Sequence, residues 1–153
     1  MSHRTEVDGT RCIVEQQDLV YRDDPGVDAP KRQPEPAPTD ADVSETVTPS
    51  EVLLFRSSAL TFNGHRIHYD RRSASDVEGY DGLVVHGPLT ATLLAELAAD
   101  AGGELATFSF RGVSPLLDTA PFSIHGRRSE SGMDLWAANP SGGLAMTANA
   151  TFR

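Results

Sequence analysis

At 153 residues, with 39% hydrophobic and 23% charged content, the chain has material for one well-packed core and not for two. Its formal net charge of −9, from 22 acidic against 13 basic residues, disfavours nucleic acid and anionic lipid surfaces as partners. The single cysteine, Cys12, excludes an internal disulfide and any multi-cysteine metal site. No apolar run approaches the roughly 18 residues of a membrane-spanning helix, and the start Met1-Ser2-His3-Arg4 lacks the apolar core of a signal peptide; cytoplasmic residence is the expectation.

In chain order, Arg11 to Arg22 reads as one β-strand with Ile13, Val14, Leu19, Val20 and Tyr21 as its apolar content. A lone strand has little stability of its own, so it must pair with a sheet edge or stay disordered. Asp23 to Val43 holds five of the ten prolines and almost no large apolar residue, the composition of a semi-extended flexible linker. The punctuation Thr48-Pro49-Ser50-Glu51 starts a short helix over Glu51 to Ala59, with Ser50 as a partial cap. The stretch from Arg71 to Gly82 is polar and rich in turn formers. Pro88 to Asp100 is the strongest helix of the chain: Pro88 suits its first position, Gly102-Gly103 stops it, and apolarity nearly all round predicts burial on most sides.

Past this helix the apolar residues recur with period two, in Phe108/Phe110, Phe122/Ile124, Leu135/Ala137 and Leu144/Met146/Ala148/Ala150/Phe152. Turn signals divide the runs at Ser114-Pro115, Ser131-Gly132 and Asn139 to Gly143. The expected fold class is α+β, an antiparallel sheet wrapped around one long helix. The expected domains are a strand-bearing segment 1–22, a Pro-rich linker 23–45 and a folded domain 46–153.

Two clusters carry chemistry. The first is Leu54 to Asp70, whose second half reads Thr61-Phe62-Asn63-Gly64-His65-Arg66-Ile67-His68-Tyr69-Asp70; the second is Val85-His86-Gly87-Pro88-Leu89. His68 is the natural proton-transfer group, since an imidazole titrates near neutrality. Asn63 offers both a donor and an acceptor for holding water or a ligand. The backbone N–H of Gly87 opens the long helix, where the dipole favours a developing negative charge. Each signal has a plainer reading: Asn63-Gly64 as a turn, Gly87-Pro88 as a helix entry, His86 or His125 as packing. A metal site built on His65, His68 and His86 lacks a carboxylate or thiolate partner, and no metal is expected.

Together the clusters resemble the MaoC-like, R-specific enoyl-CoA hydratase family of hot-dog proteins. Within it they are similar to the subgroup holding mesaconyl-C4-CoA hydratase, itaconyl-CoA hydratase and the fungal-type 3-hydroxyacyl-thioester dehydratase. The matching elements are Phe55-Arg56, then Ser58 to Asn63, then His65 to Asp70, then Val85 to Leu89, and the likeness extends over Thr46 to Arg153. It implies a hot-dog fold and a hydro-lyase acting on a coenzyme A or carrier-protein thioester, with no further cofactor. His68 would be the general acid/base, Asn63 would orient water, the Gly87 N–H would be the oxyanion donor, and His65, Arg66 and His86 would contact substrate. The broader family has an Asp where this chain has Asn63, which leaves His65 and Asp70 as replacements for the missing carboxylate.

The anionic carrier calls for local basic residues, for which Arg66, Arg71, Arg72, Arg111, Arg127 and Arg128 are candidates; Arg56 or Arg66 beside the acyl pocket would suit a dicarboxylic acyl group. Subgroup members commonly carry two hot-dog units, and the first strand resembles the last strand of a preceding unit. A homodimer or a complementing hot-dog subunit is therefore implied. Two other readings stand beside the hydro-lyase. One is a thioester-binding or assembly subunit without catalysis, which would bind acyl-CoA without turning it over. The other is a thioesterase, for which the nearest acid on the helix, Glu96, lies more than two turns in.

Overall fold

The computed structural model describes residues 1–20 and 33–153. The chain divides into two units, Met1–Arg32 and Gln33–Arg153.

In the first unit the structure departs from the expectation of one strand. Strands β1 (Ser2–Val7) and β2 (Thr10–Gln16) pair antiparallel as a hairpin. The turn between them is Asp8-Gly9, with φ of 48° and 75°, the pair of positive angles that matches a tight hairpin turn to the right-handed twist of its strands. That two-residue signal, and not apolar content, sets the register, because every residue of both strands is exposed. Leu19 and Val20 lie beyond the strand. Tyr21 and Arg22 of the expected strand, and residues 23–32 of the expected linker, lie outside the described residues.

The second unit begins inside the segment expected to be a free linker. From Glu35 to Asp42 the backbone is hydrogen-bonded to the domain: Leu144 N–H donates to the Glu35 carbonyl (2.7 Å), Ala37 N–H to Gly142 (2.8 Å) and Asp42 N–H to Gly126 (2.9 Å). Asp40 also pairs with Arg127 at 2.6 Å, and Asp42 accepts from the Arg128 N–H at 2.7 Å. Prolines remove donors but leave carbonyls, so a Pro-rich segment can lie on a fold without contributing a core. Strand β3 (Val43–Val47) follows directly and straddles the expected boundary at 45/46.

The helix α1 (Glu51–Leu60) starts as the sequence predicts, with Ser50 Oγ accepting from the Leu53 N–H at 3.2 Å. A 3-10 turn at Arg66–His68 precedes the polar stretch, and a π-helical turn at Ser73–Val77 lies within it. The long helix α2 (Gly87–Gly102) is closed by Gly103 at φ 97°, a conformation suited to glycine at a helix end. Phe152 lies against Gly102 so closely that a side chain there would overlap its ring.

Strands β4 (Leu105–Gly112), β5 (Phe122–Ser129), β6 (Gly132–Ala138) and β7 (Leu144–Phe152) complete a five-stranded antiparallel sheet in the order β3-β5-β6-β7-β4. It presents Phe122, Ile124, Met133, Leu135, Ala137, Met146, Ala148 and Ala150 to the core. From α2 come Ala91, Leu94, Leu97 and Ala98. On β5 burial alternates with the period-two residues, as in a strand half-covered by a helix; on β6 Leu135 to Ala138 are all buried, and on β7 Met146, Ala148 and Ala150 are buried while Leu144 and Phe152 are half-buried. Phe110 on β4 departs from this and is 52% exposed. The helix departs too: Thr92, Glu96 and Asp100 are exposed, so it is buried along one face and not on most sides. Among the described residues no helix is long and apolar enough to cross a membrane.

Candidate functional site

Both motif clusters meet at the start of α2. Leu83 to His86 runs extended and is held from either side: Val84 N–H donates to the Ile67 carbonyl (2.9 Å), Val85 N–H to Leu116 (2.9 Å) and Leu83 N–H to Asp118 Oδ1 (2.8 Å). Asp118, its side chain only 3% exposed, also receives Arg71 at 2.6 Å, and the same guanidinium reaches Glu51 at the head of α1. Arg71 thus ties α1 to the segment that leads into α2. Its candidate role as a carrier-binding cation is taken up by two carboxylates, which raise its pKa.

His68 is buried at the end of the 3-10 turn. Its Nδ1 lies 2.7 Å from the Val84 carbonyl oxygen. A carbonyl only accepts, so Nδ1 carries the proton and Nε2 is left with a lone pair, the tautomer of a base. Burial is the main cause that lowers its pKa from the usual imidazole value; the Val84 hydrogen bond works against this, and nearby His65 adds to it. His68, Gly87, Thr90, Ser114 and Met146 line a cavity of about 210 Å³. No side chain caps the N-terminus of α2, so its first N–H groups keep their donors free for a ligand.

The ring of His86 lies on that of His68, with centroids 3.7 Å apart and planes 17° from parallel. Its Nε2 is 2.8 Å from Ser58 Oγ, across 28 residues of chain, while its Nδ1 is buried and has no partner among the described residues. Burial first, and then His68, push the His86 pKa down to about 4. On the other side of this stack lies a groove of about 820 Å³, lined by Leu53, Arg56, Leu60, Asn63, His86 and Leu89 among others. Its size falls within the range of about 300–1,000 Å³ that ligand pockets generally have.

Of the residues singled out in the sequence, His68 and Gly87 share the smaller cavity, and Asn63 and His86 share the larger groove. Asn63 is partly committed to its turn, its Oδ1 accepting from the His65 N–H at 3.0 Å; among the described residues its side-chain nitrogen has no partner. His65 is exposed and meets His68 edge-on at 5.7 Å. Arg66 is exposed and paired with Asp70 at 2.5 Å. Neither His65 nor Arg66 lines either cavity. Asp70, offered as a replacement carboxylate, is held by Arg66 and by the Ser73 N–H at 3.1 Å, which lower its pKa.

Among the described residues no group of three or more metal-ligating side chains gathers. Of the other arginines, Arg127 is paired with Asp40 and Asp134, and Arg128 donates to the Ala101 carbonyl. Ser58 is the residue that sequence reasoning missed. It stands inside the motif that carries the resemblance but is given no role there; the signal that could have found it is spacing, four residues after Leu54 on the buried stripe of α1.

A five-stranded antiparallel sheet curled on one helix, with a site at that helix's N-terminus, defines the hot-dog class. Solved structures agree at the level of fold. HtdX of Mycobacterium tuberculosis superposes with a TM-score of 0.65 at 23% identity, covering 88% of this chain and 53% of that one. The (R)-hydratase of A. caviae gives 0.63 at 16% identity, over 80% and 97%. The family model for hydroxyacyl-thioester dehydratase type 2 (Htd2) matches residues 1–118, and the chain belongs to that family.

Among curated relatives, the mesaconyl-C(4)-CoA hydratase of Chloroflexus aurantiacus is 50% identical over 139 residues, which is 90% of this chain and 49% of the relative. The mitochondrial hydroxyacyl-thioester dehydratase type 2 of Schizosaccharomyces pombe is 36% identical over 81 residues, 50% of this chain and 27% of that protein. The chain thus spans about half the length of the first relative and less of the second.

Proposed function

We propose that the chain forms the hydratase half-site of a hydro-lyase that adds water to an enoyl thioester or removes it from a 3-hydroxyacyl thioester. The observation that carries this is His68, held by the Val84 carbonyl in the tautomer of a base, in one cavity with the uncapped start of α2 at Gly87.

In the hydration direction, His68 Nε2 takes a proton from water as the water oxygen bonds to Cβ. The displaced π electrons move onto the thioester oxygen, where the Gly87 N–H donates to the developing negative charge. The proton held by His68 then passes to Cα as the carbonyl re-forms, and the imidazole returns to its starting state. Asn63 serves from the groove side with its free amide nitrogen, ordering water or the acyl group. Substrate contacts on this chain fall to His86 and Arg56, which line the groove, and not to His65 and Arg66.

The relative from Chloroflexus supports a short dicarboxylic acyl group carried on coenzyme A. Arg56 supplies the matching cation: it lines a largely apolar groove and has no carboxylate partner among the described residues. A second hot-dog unit, from another copy or a complementing subunit, would complete the site. Strand β4 offers it an edge, since among the described residues it pairs only with β7; Phe110 on it and Val113 just after it are exposed. The opposite edge, β3, is five residues long and mostly polar.

Loss of enoyl-thioester ultraviolet absorbance with crotonyl-CoA and mesaconyl-C4-CoA, read together with mass in solution, tests the proposal. Turnover by a dimer supports it. Because the chain spans half of its relative, a second reading is a subunit that binds acyl thioester without catalysis; acyl-CoA binding with no hydration, both by a folded dimer and with a complementing hot-dog subunit supplied, would favour that reading and refute the first.

A further inference from the structure

The two sequence motifs of the site are joined by one hydrogen bond. Ser58 belongs to the first and His86 to the second, and their 2.8 Å contact is, among the described residues, the only polar anchor of a ring that lies face to face with His68. The opposite nitrogen of His86 is buried and has no partner among the described residues, so none of these fixes the rotation of the imidazole through a second polar contact.

Hydrogen-bond capacity decides the direction of that bond. If His86 Nε2–H donated to Ser58, the buried Nδ1 lone pair and the serine hydroxyl proton would both lack partners among the described residues. If Ser58 O–H donates to Nε2, only the Nδ1–H is left over. The second arrangement leaves fewer buried polar groups unmet, and each such group costs stability. Both stacked histidines are then neutral Nδ1–H tautomers, one anchored on the Val84 carbonyl and the other on Ser58.

We infer that Ser58 and His86 are positioning residues for His68: Ser58 locks the rotation and tautomer of His86, and the flat, neutral His86 ring holds the His68 imidazole in place while it takes up and returns a proton. A charged neighbour at this separation would oppose the protonation of His68 that turnover requires. Burial keeps His86 uncharged at neutral pH. The inference rests on the hydro-lyase reading for its kinetic consequence, and on geometry alone for its structural one.

The test uses the full chain labelled with ¹⁵N-histidine, which carries five histidines, and long-range ¹H–¹⁵N spectra that report which ring nitrogen is protonated. In the wild type, His68 and His86 should both be Nδ1–H tautomers. In Ser58→Ala, His86 should become a mixture of tautomers and the His68 ring resonances should shift, while Ser58→Thr, which keeps the hydroxyl, should restore both. In the hydration assay Ser58→Ala should lower kcat about tenfold, the equivalent of one net hydrogen bond, with KM changed less than about twofold.

A wild-type His86 protonated on Nε2 would overturn the inference without any variant. So would His68 resonances and kcat in Ser58→Ala that match the wild type. If no thioester is hydrated by the chain alone or with a complementing hot-dog subunit, the hydro-lyase reading fails while the spectra still decide the positioning.

Discussion

Burial of the neutral His86 ring carries a measurable pH dependence of stability. His86 is 2% exposed, and its pKa falls from the usual imidazole value near 6.5 to about 4 in the fold. The unfolded chain therefore binds a proton that the native state refuses. Stability is full above about pH 6.5, falls as the pH drops from there toward 4, and changes no further below that. From pH 7 to pH 5 the loss assigned to His86 is about 2 kcal/mol, which for a domain of this size lowers the melting temperature by roughly 8 °C.

His68 and His125 are lowered by burial as well and add losses of the same sign, so the comparison must be made with His86→Phe. That variant keeps a ring against His68 but removes the titrating group. Melting curves at pH 7 and pH 5 should show the wild type losing about 8 °C more than His86→Phe over the interval. The paired carboxylates Asp40 and Asp70 are held below their ordinary values and stay ionised over that interval in both proteins. Loss of the Ser58 contact in the variant shifts its stability at both pH values alike, and so drops out of the slope. Equal slopes for the two proteins would refute the reasoning, because they would mean that His86 protonates in the fold as readily as in the unfolded chain.

Three further outcomes are expected. His68→Ala should lower kcat for crotonyl-CoA hydration by about two orders of magnitude or more while the circular dichroism stays native, and the acid limb of the wild-type rate profile should fall below the usual imidazole pKa; near-normal turnover would remove His68 from the chemistry. Arg56→Gln should lower kcat/KM for mesaconyl-C4-CoA by about tenfold and leave crotonyl-CoA nearly unchanged, as expected for loss of one charge-assisted contact to the acyl carboxylate; an equal fall for both substrates would assign Arg56 to the shared coenzyme A portion. Asp118→Asn should destabilise the domain by about 1–3 kcal/mol in urea melts, since a buried side chain that accepts from Leu83 N–H and Arg71 would lose its charge; wild-type stability would show that Arg71 holds α1 without it.

What could be read from the sequence follows from how local each signal is. Helix α2 was legible at both ends, because Gly87-Pro88 and Gly102-Gly103 act on their own turns; α1 was legible through Ser50 for the same reason. Strands β5 to β7 were legible because their core-facing apolar residues recur every second position, although β6 also buries Trp136 and Ala138 between and beyond them. Strand β1 was hidden for want of an apolar pattern. Residues 35–42 were misjudged because composition reports what a segment can bury, not which backbone groups a neighbouring strand can satisfy. In the site, His68 and Gly87 could be singled out by residue type and position. Ser58 could not: a serine inside a helix is chemically unremarked until the fold brings a residue 28 positions away to its hydroxyl.

The location of the unmet polar atom on His86 joins these observations to function. Folded chains leave few buried donors or acceptors without partners, and each one costs stability that the rest of the core must offset. Here one stands against His68, the proposed general base, on a ring whose other nitrogen is held by a single serine. A phenylalanine at position 86, with an alanine at 58, would stack as well and leave neither the Nδ1 nor the serine hydroxyl to satisfy, so packing alone gives no reason for an imidazole there. What an imidazole adds is a hydrogen-bond anchor that fixes the ring's rotation. Folding stability is thereby traded for a fixed orientation at the site, a trade that a protein needing only a packed core would have no cause to make.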